Sequence, residues 1–350
     1  MQKTRFFASF FVTVFLCALI GPAVADDELQ TESEHRWFRN VRQLTFEKMG
    51  FERAGEAYFS ADGKRICFQA VPKGKTEYQI YVMNLDGSGL KMVSTGEGAT
   101  TCSYFFSDGK KMMFASNHLD QRPAVAPPDK EKSSDRSYAW PFPPGMDIFE
   151  YEFDSGKLTK LIDAEGYDAE GSYSADGKRI IFTSMRDNDQ EIYICDADGK
   201  NAKRITDKPG YDGGPFFSPD GKRVVYRSDR ANDGNLQIFV NNLEGTDEQQ
   251  ITHDPAVLHW CPFWHPSGKW LIYTRGDHRG RPNYDLYLLS PDGKETHRVT
   301  DDPTFDGLPV FSPDGKWLMW TSKRGGIEGA QVFIAEFTGL TPDGELRVHE

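Results

Sequence analysis

Short runs of alternating apolar and polar residues recur along the chain, and most of them flank one phrase. It reads Phe311-Ser312-Pro313-Asp314-Gly315-Lys316 and again Phe217-Ser218-Pro219-Asp220-Gly221-Lys222. Variants are Phe59-Ser60-Ala61-Asp62-Gly63-Lys64, Tyr173-Ser174-Ala175-Asp176-Gly177-Lys178, the worn Trp264-His265-Pro266-Ser267-Gly268-Lys269 and the shorter Phe106-Ser107-Asp108-Gly109-Lys110. The turn glycines of these six copies are spaced 46, 68, 44, 47 and 47 residues apart. A period of that size signals a repeat architecture. Pro and Asp suit the central positions of a tight turn and Gly takes the left-handed position after them, so each phrase predicts a β-hairpin.

A third alternating run follows each hairpin, as in Gln237-Ile238-Phe239-Val240-Asn241, and a fourth ends at Gln250-Ile251-Thr252. Four antiparallel strands per repeat make a propeller blade. The pattern therefore predicts an all-β, six-bladed β-propeller with four antiparallel strands per blade over residues 41–338. Blade one is read as Glu56–Ser60, Arg65–Ala70, Tyr78–Leu85 and Leu90–Thr95, and blade three as Ala169–Ser174, Arg179–Ser184, Gln190–Asp196 and Ala202–Thr206. Blade six runs Leu308–Ser312, Trp317–Ser322 and Gln331–Phe337 and lacks a fourth strand. Arg42-Gln43-Leu44-Thr45 matches Lys203-Arg204-Ile205-Thr206, which ends blade three, so the N-terminal strand is expected to close blade six and protect its edge.

Outside the repeats, Lys3 and Arg5 precede an apolar run from Phe6 to Ile20 and the small-residue site Ala23-Val24-Ala25, which predicts a signal peptide over 1–25 and a periplasmic or secreted product. Residues 26–40 read as an acidic tail and 339–350 as a loose C-terminal tail. Without the leader the chain carries 39 basic and 53 acidic residues. That balance disfavours nucleic acid and anionic membranes and suits a basic protein partner or a cation. No later stretch reads as a membrane helix, and a monomer is expected. Cys67, Cys102, Cys195 and Cys261 fall on four different blades, fit no zinc spacing and read as small buried hydrophobes.

The one irregular repeat is blade two. Thirty residues, 117–146, separate its second and third strands and include Tyr138, Trp140 and Phe142 among six prolines. Such a loop is functional or disordered, and its aromatic part is expected to cross the ring as a lid or to pack as a plug. Connectivity puts this insertion on the same face as the blade-to-blade connections, opposite the tight turns. Those connections bring Glu56, Asp168, Glu170, Asp212 and Asp306 to the channel rim, with His259 and Trp260 breaking the pattern. Two roles fit the carboxylates: capping backbone N–H groups between blades, or binding a cation or the basic tip of a partner. No nucleophile elbow, H-E-x-x-H or phosphate loop is present, no cofactor is expected, and His118, His259 and His278 lie on blades two and five.

The phrase Phe217–Lys222 followed by Arg227-Ser228, Gln237–Val240 and Gln250-Ile251-Thr252 resembles the TolB propeller family over residues 41–337. That resemblance implies a periplasmic propeller that binds an envelope protein, in that family the peptidoglycan-associated lipoprotein, across one face around the channel. The family's N-terminal α/β domain is not expected in the short stretch before residue 41. Similar repeats occur in prolyl oligopeptidase, whose hydrolase domain is not expected after residue 337. They also occur in oligogalacturonate lyase, which makes a metal-dependent carbohydrate-active enzyme the rival expectation and a small-ligand sensor a third.

Overall fold

The computed structural model describes residues 29–120, 142–230, 235–277 and 283–347. The expected leader, Tyr138, Trp140 and His278 lie outside them. The described residues form six four-stranded antiparallel sheets. Blade one comprises Phe51–Phe59, Arg65–Pro72, Gln79–Asn84 and Lys91–Met92, counted from the channel outward. The second strands of blades three and six, Arg179–Ser184 and Trp317–Ser322, and the third strand of blade six, Gln331–Phe337, have the expected bounds. The blade-two insertion leaves at Ser116 and returns at Asp147, also as expected.

The recurring phrase forms one hydrogen-bonded unit. In blade one the Ser60 hydroxyl donates to Asp62 Oδ1 at 2.6 Å, Asp62 accepts the Lys64 N–H at 3.1 Å, and Arg65 N–H returns to Ser60 Oγ at 3.0 Å. The bonds recur at Ser174, Ser218 and Ser312. The Asp–Gly–Lys corner needs a left-handed residue, which Gly63 supplies at φ +68°.

Alternation along the strands divides the apolar side chains between the two neighbouring blades. Ile180 and Phe182 enter the core between blades two and three, while Ile181 enters that between three and four. Val225 faces blade five, whereas Val224 and Tyr226 face blade three. The interior is thus a set of wedge-shaped cores, one at each blade junction, which is why 13% aromatic residues coexist with a mean hydropathy of −0.59.

The ring closes between the termini. The closing strand is Phe38–Gln43, starting earlier than the sequence suggested, and Phe38 pairs with Phe337. The match between Thr45 and Thr206 has a physical basis. Each hydroxyl accepts a third-strand N–H and donates to a side chain of that strand, Thr45 with Val332 and Gln331, Thr206 with Ile192 and Glu191.

Two segments read as tails are integrated. Ser33–Arg36 forms a 3-10 turn whose Glu34 is wholly buried against Arg324. Leu340 is 4% exposed, and the Trp270 indole N–H donates to the Gly344 carbonyl at 2.8 Å. Composition marked both segments as tails, but each covers part of the apolar core between blades five and six.

Candidate functional site

Each inner strand carries a bulge at the same place, four residues before the hairpin serine or its equivalent. The residues there are Glu56, Cys102, Glu170, Gly214, Cys261 and Leu308, all with positive φ between 45° and 58°. A bulge turns the bulged side chain away from the pleat. Burial alternates around it: Glu56 and Tyr58 keep accessible surface while Ala57 and Phe59 are buried, and Cys102–Phe105 and Cys261–Trp264 repeat the alternation. The exposed members come from separate blades yet act on one another electrostatically; Glu56 feels Cys102, Glu170 and Arg227. They line the central channel.

One layer further toward the tight-turn face the channel is closed. Tyr58 of blade one meets Tyr104 of blade two, Phe216 of blade four and Phe263 of blade five, with ring centroids 5.3, 5.7 and 6.4 Å apart. Phe216 and Phe263 are edge-to-face at 5.0 Å. This aromatic floor makes the channel a cup on the side of the blade-to-blade connections.

Of the two roles open to the rim carboxylates, three of the aspartates take a structural one. Asp168, Asp212 and Asp306 are wholly buried and staple to arginines two residues beyond the second-strand serine: Asp168 to Arg186 at 3.1 Å, Asp212 to Arg230, and Asp306 to Arg324 at 2.6 Å. Burial raises Asp168 and Asp212 above the ordinary aspartate value, and the guanidinium partners pull the other way. Asp168 also accepts the Ala164 N–H at 2.7 Å, the capping role allowed for it. The signal that would have found these staples is the Ser-x-Arg repeat at Ser184, Ser228 and Ser322. In blade two His118 takes the arginine's position, with Nδ1 2.9 Å from Ser116 Oγ.

Blade five breaks the pattern, as the sequence indicated. His259 is 4% exposed and stacks on Tyr273, and neither ring nitrogen meets a partner among the described residues. Burial, then Arg275, pushes its pKa down to about 4, so it is neutral. Arg275 turns instead to Asp254 at 2.9 Å. Trp260 is half-buried beside it. Among the described residues no group of three metal-binding side chains comes together.

Glu170 does belong to the cup, but its oxygens are occupied. They accept from Arg227 Nη2 at 2.7 Å, Gly214 N–H at 2.7 Å, Thr183 Oγ1 at 2.9 Å and the Tyr211 hydroxyl at 3.0 Å. Arg227 rises from the second strand of blade four and passes over Gly214, where any Cβ would collide with it. Glu56 is different: it accepts from the Tyr58 hydroxyl at 3.4 Å and from the Cys102 thiol, with no cation at ion-pair distance among the described residues. Burial raises its pKa to about 7. Cys102 and Cys261 are also corrections, since they face the cup while only Cys67 and Cys195 are buried in blades. Burial raises both cup thiols well above the ordinary value, so they stay protonated. Of the insertion's aromatics, Phe142 is described and docks at the rim on Tyr167 and Tyr211, centroids 5.2 and 5.8 Å away.

With this geometry in view, comparisons with known proteins find similar β-propellers. The family model of the TolB beta propeller domain matches residues 146–281. A TolB homolog of Chlorobium luteolum is 26% identical over 175 residues, covering 49% of this chain and 37% of that protein. Dipeptidyl-peptidase 5 of Porphyromonas gingivalis is 24% identical over 308 residues, covering 82% and 40%. The chain spans less than half the length of these curated relatives. Among solved structures, a putative TolB from Agrobacterium tumefaciens aligns with a TM-score of 0.59 at 19% identity, covering 85% of this chain and 97% of that one. TolB from Acinetobacter baumannii gives 0.60 at 18%, covering 81% and 65%. An oligogalacturonate lyase from Vibrio parahaemolyticus has the same fold at 0.53 and 15%, covering 85% and 93%. Residues 146–281 are thus similar to the TolB beta propeller domain, and the described residues share the fold of solved TolB propellers. Among the described residues no helix is long and apolar enough to cross a membrane.

Proposed function

We propose that the chain is an exported propeller scaffold of the cell envelope that binds a basic protein partner on the face of the blade-to-blade connections. The observation that carries this reading is the asymmetry of the two faces. One presents tight Asp–Gly–Lys turns stapled by their own hydrogen bonds. The other gathers the cup, the Phe142 anchor and exposed acidic side chains on the connections, Glu97, Asp163, Glu165 and Asp207. Variation on a rigid frame is where recognition resides, and an acidic rim speeds encounter with a basic surface. The resemblance to TolB and the leader over 1–25 support an envelope location.

The test is capture from an envelope extract with three forms of the protein. One is unchanged; one has Glu97, Asp163, Glu165 and Asp207 changed to Lys; the control has the exposed turn lysines Lys64, Lys178 and Lys222 changed to Glu. The reading requires one protein retained by the first and third forms and lost by the second. Equal capture by all three sinks it.

A further inference from the structure

We propose that the channel cup is a binding site for a small dipolar molecule, one carrying an ammonium group and a carboxylate, held between Glu56 and Arg227. This site opens on the same face as the partner surface proposed above, but its ligand does not depend on that partner.

Four observations lead there. First, the two charged groups stand on opposite walls, because blades one and four face each other across a six-bladed ring; the Tyr58–Phe216 contact one layer below crosses the same line. They are beyond ion-pair distance, since Arg227 pairs with Glu170 alone. Second, each keeps unused bonding capacity. Arg227 spends Nη2 on Glu170 and Tyr211, while its Nε has no partner among the described residues. Glu56 accepts from neutral donors, one of them long. Third, Glu170 cannot serve as a second anionic anchor, because its donors already fill it. Fourth, the space between is lined by neutral surface: the Cys102 and Cys261 thiols, Leu308, and the aromatic floor.

This arrangement discriminates by charge pattern. A simple cation drawn to Glu56 meets the Arg227 field, and a simple anion drawn to Arg227 meets Glu56. A molecule with both charges satisfies both walls, and its aliphatic middle covers the rings of the floor. Buried polar groups matched at both ends reject analogues that lack one end more strongly than an apolar pocket rejects a missing methylene.

Isothermal titration with ω-amino acids of increasing chain length, from glycine upward, tests this. Alkylamines and carboxylates of matched length are the controls. One member of the series should bind at least about tenfold more tightly than either control. Glu56→Gln should weaken it by at least about tenfold while leaving the circular dichroism spectrum unchanged. Arg227→Lys keeps the charge facing Glu170 but loses the second donor, and should weaken binding as well. The proposal fails if no member of the series binds at millimolar concentration, if the matched amine binds equally well, or if Glu56→Gln binds as tightly as the unchanged protein.

Discussion

Arg324 offers the sharpest test of how the ring is held shut. Its side chain has no accessible surface. Nη1 donates to the Leu29 carbonyl at 2.8 Å and to Glu34 at 3.2 Å, and Nη2 donates to Glu34 at 3.1 Å and Asp306 at 2.6 Å. One guanidinium therefore holds the N-terminal segment, the inner strand of blade six and two buried carboxylates. Arg324→Met keeps the volume and removes the charge. Breaking a buried pair from one side costs about 3–5 kcal/mol, because the remaining charge is stranded. Here two carboxylates are stranded, so the upper part of that range is expected.

The sign of the pH dependence follows from the same geometry. Burial already raises Glu34 and Arg324 pulls it the other way, so without the guanidinium the Glu34 carboxyl favours its protonated form still more. A raised carboxylate contributes stability below its unfolded pKa and loses it as pH rises through the folded value. The deficit of Arg324→Met should therefore be largest near about pH 8 and shrink toward about pH 5. Urea unfolding followed by tryptophan fluorescence measures it, and limited proteolysis should show the segment before Phe38 released. Adding Asp306→Asn to Arg324→Met should recover part of the loss. A deficit below about 1 kcal/mol, or one equal at both pH values, would refute the reasoning.

Three further outcomes are expected. Glu56 has a folded pKa of about 7 against an ordinary value of 4.5, so its stabilising contribution is full below pH 4.5 and lost by about pH 7; Glu56→Gln should gain on the order of 1–3 kcal/mol over the wild type between those limits, read by urea unfolding across pH. Gly221→Ala meets open space and bears only the cost of its left-handed φ, about 1 kcal/mol, whereas Gly245→Ala drives a Cβ into the Ile205 carbonyl and should cost several times more, compared by thermal melting. Deleting residues 341–350 removes the acceptor of the Trp270 indole and uncovers Leu340, which should lower stability by about 2–4 kcal/mol and shift tryptophan emission to the red.

Much of the architecture was legible in one dimension because it rests on local rules. The Ser-x-Asp-Gly-Lys phrase closes its own hydrogen bonds within six residues, so its six copies announced six hairpins. Alternating strands sorted their own side chains between neighbours, and the threonine of Arg42–Thr45 carried the bond pattern of its counterparts. What the chain alone left undecided depends on distance across the ring. Asp168, Asp212 and Asp306 could have been caps or binding groups until the fold brought an arginine to each. The partners lie 18 residues away in sequence, so the Ser-x-Arg repeat marks the arginines but does not say which carboxylate each one meets. Cys102 and Cys261 read as buried hydrophobes because a left-handed bulge, invisible in composition, turns them toward the axis. Glu34 and Leu340 read as tail residues because the apolar surfaces that receive them belong to blades at the far end of the chain. Hydrogen bonds between neighbours in sequence can be read from the sequence; charge pairing and burial depend on which blades come together, and only closure of the ring decides that.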